Sequence, residues 1–418
     1  MRLFNKTLLA VAVTMASSQA MAAGFQLNAQ SATGLGRAFA GDAVIADNAS
    51  VMARNPAAMA LFDKMELSLG FETITTDISA KNVKYTALSG LVSDNTDHDD
   101  IGSTSVAPNI HLIVPVNEKF AWGVNAYTNF GTKTEFSNDL VWSEFGGLTD
   151  VKSANLGVAA SYRLNDQWSF GAGLDIVYGI GKLERKQGFD VPPQIPLPPK
   201  GTTLLNADAE GFGVGFNVGA VFELDQNNRF GLSYHHSPEV EGDGDITYIL
   251  AGPKDSGGKL KLPLPDMAEF SGYHKLENTK FAVHYSIQWI GWNTFETLDG
   301  TVNGKKYTFD QYKWQDGWHY AIGGTYYMNS DWTLRTGYMY DTSAQDSITS
   351  VSVPDSSRQW FSAGATYHID NVSNIDVGFT YLMGKDVKVK QTSSLGSTIE
   401  ATTRADAILF GLQYSRSF

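Results

Sequence analysis

The sequence predicts an all-β protein: a 14-stranded antiparallel transmembrane β-barrel with a small N-terminal helical hatch, or plug, in its lumen. Three observations carry this. Long segments alternate strictly, as where Trp168, Phe170, Leu174, Ile176 and Tyr178 face one way and Ser169, Gly171, Gly173 and Asp175 the other. The same period of two runs from Phe281 through Val283, Tyr285, Ile287 and Trp289, and from Ile375 through Val377, Phe379, Tyr381 and Met383. Short turns recur as NEKF at 117, NDQW at 165, NNRF at 227, NTKF at 278 and NSDW at 329, with NVSNI at 371 as a looser sixth. The chain also ends in a final alternating strand, Ile408, Phe410, Leu412 and Tyr414, closing on Phe418. A soluble β-sandwich alternates too, but aromatics at the ends of the apolar faces and the contrast between short turns and long loops favour a membrane barrel.

Taken in order, residues 1–22 read as a secretory signal: Arg2 and Lys6, an apolar run from Leu8 to Met15, then Ala20-Met21-Ala22 as a cleavage site. No later segment approaches the ~20 apolar residues of a helical span. Forty-one Gly, eighteen Tyr, twenty-three Phe and no Cys suit a β-rich exported protein held together without disulfides. A net charge of −13 argues against nucleic acid as a partner.

Residues 23–63 show no sustained alternation and fall outside the strand count. Asn55 is a good helix N-cap, Pro56 suits the first helical position, and Ala57 to Phe62 would continue as a short apolar helix. Either this segment trails in the periplasm or it plugs the lumen, which in a barrel of this size its own side chains cannot fill. The lack of charge from Ala57 to Leu61 favours burial.

Residues 64–418 then hold the barrel. Six short turns separate seven long hairpins, with tips near 78–104, 136–149, 187–206, 250–257, 298–305, 342–356 and 388–399. Both termini therefore lie on the periplasmic side, and the long loops are expected to be polar. Two loops stand out. VPPQIPLPPK, from Val191, is stiff and apolar and reads as a greasy outer surface or a rigid spacer. DNTDHDD, from Asp94, is either a solvated loop or a bridge to lipopolysaccharide through divalent cations.

The blocks AGFQLN at 23, SATGLGRAFAGDAVIADNASVMARNPA at 31, YRLNDQWSFGAGLDIVYGIGKLER, LPDMAEFSGY and WTLRTGYMYD resemble the long-chain fatty acid transport proteins of the bacterial outer membrane (FadL type). The resemblance covers the mature chain and is weakest in the long loops. It implies passive uptake of long-chain fatty acids, a capture groove among the extracellular loops, a deeper pocket, and sideways release through an opening in the third strand. It assigns substrate binding to Phe25 and Arg185, with Leu183 added as the lumenal neighbour of Arg185, and it makes the capped segment Asn55, Pro56 and Ala57 part of the hatch and Gly131 part of the gate.

The alternation supports Arg185 separately. With the even positions of the fifth strand facing lipid, Gly181, Leu183 and Arg185 face the lumen, where a guanidinium can pair with a carboxylate. Gly131 inside a strand would permit a bulge. The family's second basic pocket residue, a Lys before the tenth strand, falls near Asp310 or Gln311, with Lys306 and Lys313 as substitutes. That departure keeps a channel for neutral compounds such as aromatic hydrocarbons open as an alternative, beside a surface receptor or adhesin.

No enzyme signature is present: no Gly-x-Ser-x-Gly, no HExxH, no P-loop and no cysteine, with His235-His236 the one conspicuous pair. No cofactor and no metal site are expected. The reading is of a monomer in contact with outer-membrane lipids and lipopolysaccharide, its extracellular loops open to phage.

Overall fold

The computed structural model describes residues 24–137, 139–393 and 396–418, so the signal segment expected at 1–22 lies outside the described residues. Twenty-one strands form one antiparallel sheet. The wall opens with β1 (Glu66–Ala87); β2 (Val92–Asp94) is a flap in the first loop, and β3 (Thr104–Pro115) returns. The third wall strand is split into β4 (Phe120–Tyr127) and β5 (Gly131–Glu135). It is followed by β6 (Leu148–Arg163), β7 (Trp168–Lys186), β8 (Thr203–Glu223) and β9 (Asn228–His236). A loop hairpin of β10 (Glu239–Tyr248) and β11 (Asp255–Pro263) intervenes before β12 (Met267–Lys275) and β13 (Phe281–Ile290). A second such hairpin, β14 (Thr297–Val302) and β15 (Lys305–Gln311), precedes β16 (Gly317–Tyr327), β17 (Trp332–Asp341), β18 (Arg358–His368) and β19 (Ser373–Gly384). The loop strand β20 (Val387–Thr392) leads to β21 (Thr398–Ser417), which pairs with β1 from Glu66 opposite Ser417 to Thr86 opposite Thr398. That pairing closes a 14-stranded barrel.

The direction in which each strand face points separates this barrel from a sandwich. The apolar residues of the alternation are the exposed ones: Leu174 is 59% exposed, Ile287 43% and Phe379 45%. Their polar alternates, such as Ser169, Asp175, Ser286 and Gln288, are buried. Only a lipid solvent makes that inversion favourable.

The six turns fall where the sequence puts them, but their chemistry divides. At 117, 165 and 329 the Asn side chain caps the turn; Asn165 Oδ1 accepts from the Gln167 and Trp168 amides at 2.9 and 2.8 Å. At the third and sixth turns an aspartate two residues or one residue before the expected Asn does this: Asp225 accepts from Asn227 and Asn228, and Asp370 from Val372 and Ser373. Asn278 contributes a positive φ of 57° instead.

From Gly24 to Met59 every residue except Ala46 and Asp47 is buried, so this segment packs inside the barrel instead of trailing from it. Asn55 Oδ1 caps the Ala57 amide at 3.0 Å, as expected, and its Nδ2 donates to Ala43 O at 2.8 Å and Ala220 O at 3.1 Å. The turn it starts, Pro56–Leu61, is a 3₁₀ helix and not an α-helix. Six residues are too few to offset the cost of nucleating an α-helix, whereas i→i+3 bonds suit short pieces. Two more capped pieces escaped the sequence reading: an α-helical turn Ala32–Leu35 capped by Ser31, and a 3₁₀ turn Ala49–Ala53 capped by Asn48. Wall glycines let the hatch approach. A Cβ at Gly171 would stand 2.3 Å from Ala57 N, and one at Gly219 would stand 1.9 Å from Asn55 Oδ1. Ion pairs complete the attachment: a buried one from Arg54 to Glu269 on β12 at 3.3 Å, and a half-buried one from Asp47 to Arg335 on β17 at 3.2 Å.

The extracellular loops are less polar than expected. Phe136, Leu140, Trp142 and Phe145 of the second loop pack with Tyr85, Phe189, Val351 and Ile399 into one apolar cluster. Loops of this length bury side chains against one another because the barrel rim offers them a floor.

Candidate functional site

Leu183 and Arg185 leave the extracellular end of β7 on its lumenal side and line one cavity of about 660 Å³, within the range of small-molecule pockets. Leu204 and Leu205 on β8, Leu298 on β14 and Phe309 on β15 supply an apolar lining; Ile249 and Leu250 stand at its mouth. The two loop hairpins thus build most of the far wall. Their side chains reach the cavity because β10 and β11 extend the sheet beyond β8 and β11 then pairs with β14.

Arg185 is buried, with 9% exposure. Its Nη1 donates to Leu148 O at 2.7 Å and to Glu184 O at 2.9 Å, and its Nη2 to Thr149 Oγ1 at 2.8 Å. The other four buried arginines, Arg37, Arg54, Arg335 and Arg358, each have a carboxylate within 4.0 Å. Among the described residues Arg185 has none, so its charge remains available to the cavity.

Sequence reasoning located Asp310 only as the place where a lysine would be matched. In the structure it lines the same cavity as Arg185 and interacts with it across the space, beyond direct salt-bridge contact. Burial pushes the Asp310 carboxyl above the ordinary carboxylate range, and the Arg185 charge pulls it back. Tyr312, beside it, is also pushed up, first by burial and then by the neighbouring Asp310 charge. Lys306 and Lys313 do not line the cavity: Lys306 is exposed beside the tip of its hairpin, and Lys313 is exposed just past the end of β15 with a φ of 46°. A different lysine, Lys390 on β20, reaches the lining, but its ammonium is paired with Glu400 at 2.7 Å.

Phe25 does not line the cavity itself. It fills an aromatic floor, with ring centroids 4.5 Å from Trp292, 5.3 Å from Phe295 and 5.7 Å from Trp314. Trp314 in turn touches Tyr312, so floor and cavity belong to one apolar cluster. These rings come from residues 292–314, where closely spaced Trp and Phe were the available signal.

Phe25 is also tied to the wall. The β3–β4 pairing ends at Ile110 opposite Ala126, while β5 resumes by pairing with β6. Into that break the hatch inserts its backbone: Gly131 N donates to Phe25 O at 2.8 Å, Leu27 N donates to Asn129 O at 2.6 Å, and Gln26 bridges to Phe130. Gly131 is therefore the first residue after the break and, with Asn129 and Phe130, one of those that hold the hatch. Asn55, Pro56 and Ala57 lie elsewhere, against the part of β7 and β8 nearest the short turns, where Ala60 O accepts from Arg163 Nη2 at 2.7 Å. They anchor the hatch and do not touch the cavity.

The remaining candidates have structural partners. His235 contacts Arg54 O at 2.9 Å and His236 contacts Asp266 at 2.9 Å. The Pro-rich stretch is largely exposed. In the acidic run Asp99 pairs with Lys81 at 3.2 Å, and among the described residues no group of His, Asp and Glu is arranged to hold a metal.

Residues 13–418 match the family model described as outer membrane protein transport protein (OMPP1/FadL/TodX). The chain is 36% identical to the long-chain fatty acid transport protein of Escherichia coli K12, covering 100% of this chain and 99% of that one. It is 34% identical to outer membrane protein P1 of Haemophilus influenzae, with both chains fully covered. Among solved structures, a Pseudomonas aeruginosa FadL homologue superposes with a TM-score of 0.84 at 22% identity, covering 95% of this chain and 100% of that one. The Ralstonia pickettii toluene transporter TbuX gives 0.65 at 17% identity, covering 93% and 98%.

Proposed function

Since the chain belongs to the OMPP1/FadL/TodX family of outer-membrane transport proteins, we propose that it carries long-chain fatty acids passively across the outer membrane by loop capture, binding in the lumenal cavity and lateral release. It is a channel for hydrophobic compounds and not an enzyme. The observation that carries the fatty acid reading is Arg185: a buried guanidinium with no carboxylate within 4.0 Å among the described residues, set at the edge of a cavity where one part of the lining is apolar, from Leu183, Leu204, Leu205, Leu298 and Phe309. A carboxylate head group fits its unspent donors, and an alkyl tail fits Leu183, Leu204, Leu205 and Leu298.

Burying a tail of ~15 methylenes is worth on the order of 10 kcal/mol before binding costs, so capture is easy and release is the difficult step. The hatch supplies a release route. Phe25 seals the cavity floor and, through its carbonyl, holds Gly131 at the break in the third wall strand. Withdrawing Phe25 loosens the aromatic cluster that backs the cavity and frees the break together, so loss of affinity and lateral exit become one event.

The reading is tested by uptake of labelled oleate in a strain lacking its own fatty acid channels. Wild type should restore uptake, and Arg185→Ala should lower it. Deletion of Asn55 to Ala57 should abolish gated uptake, and normal uptake by that deletion would remove the hatch from the mechanism. No uptake by wild type would remove fatty acids as the ligand class. The second reading, neutral hydrophobic compounds, is favoured by Asp310, whose charge opposes that of Arg185; labelled toluene in the same strain tests it.

A further inference from the structure

The charge balance of the cavity carries a consequence for what it can hold. Asp310 on β15 and Arg185 on β7 line the same cavity and each feels the other's charge. The other described groups lining the cavity supply no further unpaired cation. Lys390 is spent on Glu400, and its ammonium is largely exposed. Glu144, at the second loop, accepts from Tyr85 at 2.7 Å and adds only negative charge. Tyr312 and Tyr248 are held in their neutral forms by burial. On the paired strand β14, Asp299 accepts from Thr308 Oγ1 at 2.7 Å. Among the described residues lining the cavity, Arg185 is thus the one cation without a carboxylate partner, and a ligand carboxylate arriving there meets a second carboxylate already in place.

We propose that Asp310 sets the head-group specificity of this cavity: a ligand carboxylate settles on Arg185 only with one proton taken up by the Asp310–carboxylate pair, whereas an uncharged head group binds with none. The proposal rests on the reading of the cavity as the ligand site. Two carboxylates sharing one partly enclosed cavity with a single unpaired cation repel each other, and uptake of one proton relieves that repulsion. The proton comes from solvent, arrives either on the ligand or on Asp310, and ends between the two carboxyls. The Asp310 carboxylate accepts from the Gln311 amide at 2.8 Å and also hydrogen-bonds the Tyr312 side chain, so its protonation is coupled to that of its neighbour on the cavity lining. An alcohol, ester or hydrocarbon brings no charge and leaves the Arg185–Asp310 balance intact.

The test uses the full mature protein in lipid nanodiscs and three probes of equal chain length: dodecanoate, dodecyl sulfonate and dodecanol. The sulfonate stays ionised at every working pH, so any proton taken up with it resides on the protein. Calorimetry in two buffers of different ionisation enthalpy counts that proton directly. Wild type should take up about one proton per sulfonate and lose affinity about tenfold per pH unit once Asp310 ionises. Dodecanol should take up none, at an affinity that does not vary with pH. In Asp310→Asn, which keeps shape and hydrogen bonding, the sulfonate should bind without proton uptake and more tightly at pH 8. Sulfonate binding without proton uptake in wild type, or an unchanged proton count in Asp310→Asn, overturns the proposal while dodecanol binding leaves the cavity's role as ligand site standing. Silence of all three probes in both proteins overturns the ligand site itself and the proposal with it.

Discussion

Replacing Gly219 with alanine is expected to detach one end of the hatch while leaving the barrel whole. The added Cβ would stand 1.9 Å from Asn55 Oδ1, well inside contact distance, and its nearest obstacle is the short, fully buried Asn55 side chain. That amide must therefore move, and with it go three hydrogen bonds: the cap on Ala57 N and the donations to Ala43 O and Ala220 O. At a net value of about 1 kcal/mol each, the loss is about 2–4 kcal/mol of local stability. Amide hydrogen exchange reports it, because exchange through local opening accelerates by the same factor as the opening equilibrium. The amides of residues 57–62 should exchange roughly 30- to 1000-fold faster, while those of β7 and β8 stay as in wild type. Heat-modifiable migration on a gel should be preserved, since no hydrogen bond between wall strands is removed. Exchange at residues 57–62 within threefold of wild type would refute the claim that this contact fixes the hatch.

Arg185→Met keeps length and apolar bulk but removes the donors; with two of five N–H groups unspent, dodecanoate should bind roughly 30- to 150-fold more weakly, about 2–3 kcal/mol, and dodecanol within twofold, by calorimetry in nanodiscs. Gly131→Pro deletes the N–H that donates to Phe25 O, so the amides of residues 25–27 should lose exchange protection while gel migration still reports a folded barrel. His98 packs edge-on to Trp142, with ring centroids 5.2 Å apart, and burial lowers its folded pKa below the ordinary 6.5. The folded state thus favours the neutral ring: its contribution to holding the first loop is complete above pH 6.5 and is lost as pH falls through the folded value. Proteolysis within residues 88–100 should accelerate between pH 7.5 and 5, and His98→Phe should remove that dependence.

The wall was legible because its pattern is local. A strand in lipid repeats every two residues, so Leu174, Ile176 and their polar alternates declare both the strand and its two faces. Asn55 was legible for a similar reason, since a cap acts on an amide two residues away. The turns show the limit of local reading: Asp225 and Asp370 perform the capping that the conspicuous Asn227 and Asn371 suggest. Lys306 and Lys313 failed as cavity residues because a loop hairpin carries no barrel register from which to count. Which of its residues face inward depends on how β14 docks against β11, a pairing between segments some forty residues apart.

By itself, the sequence determined the strand count, the lipid-facing surface, the capped turn at Asn55 and the lumenal direction of Arg185. Each follows from spacing along the chain, where backbone geometry fixes side-chain direction within a few residues. Only the tertiary structure decided that Asp310 faces Arg185 across 125 positions, that Trp292, Phe295 and Trp314 close around Phe25, and that Phe25 O rather than a neighbouring strand receives the Gly131 amide. Those relations are set by closure of the barrel, which brings distant segments together at distances no local periodicity encodes. The wall is therefore written in short-range pattern, while the charge balance of its cavity and the latch on its opening exist only once the sheet has closed.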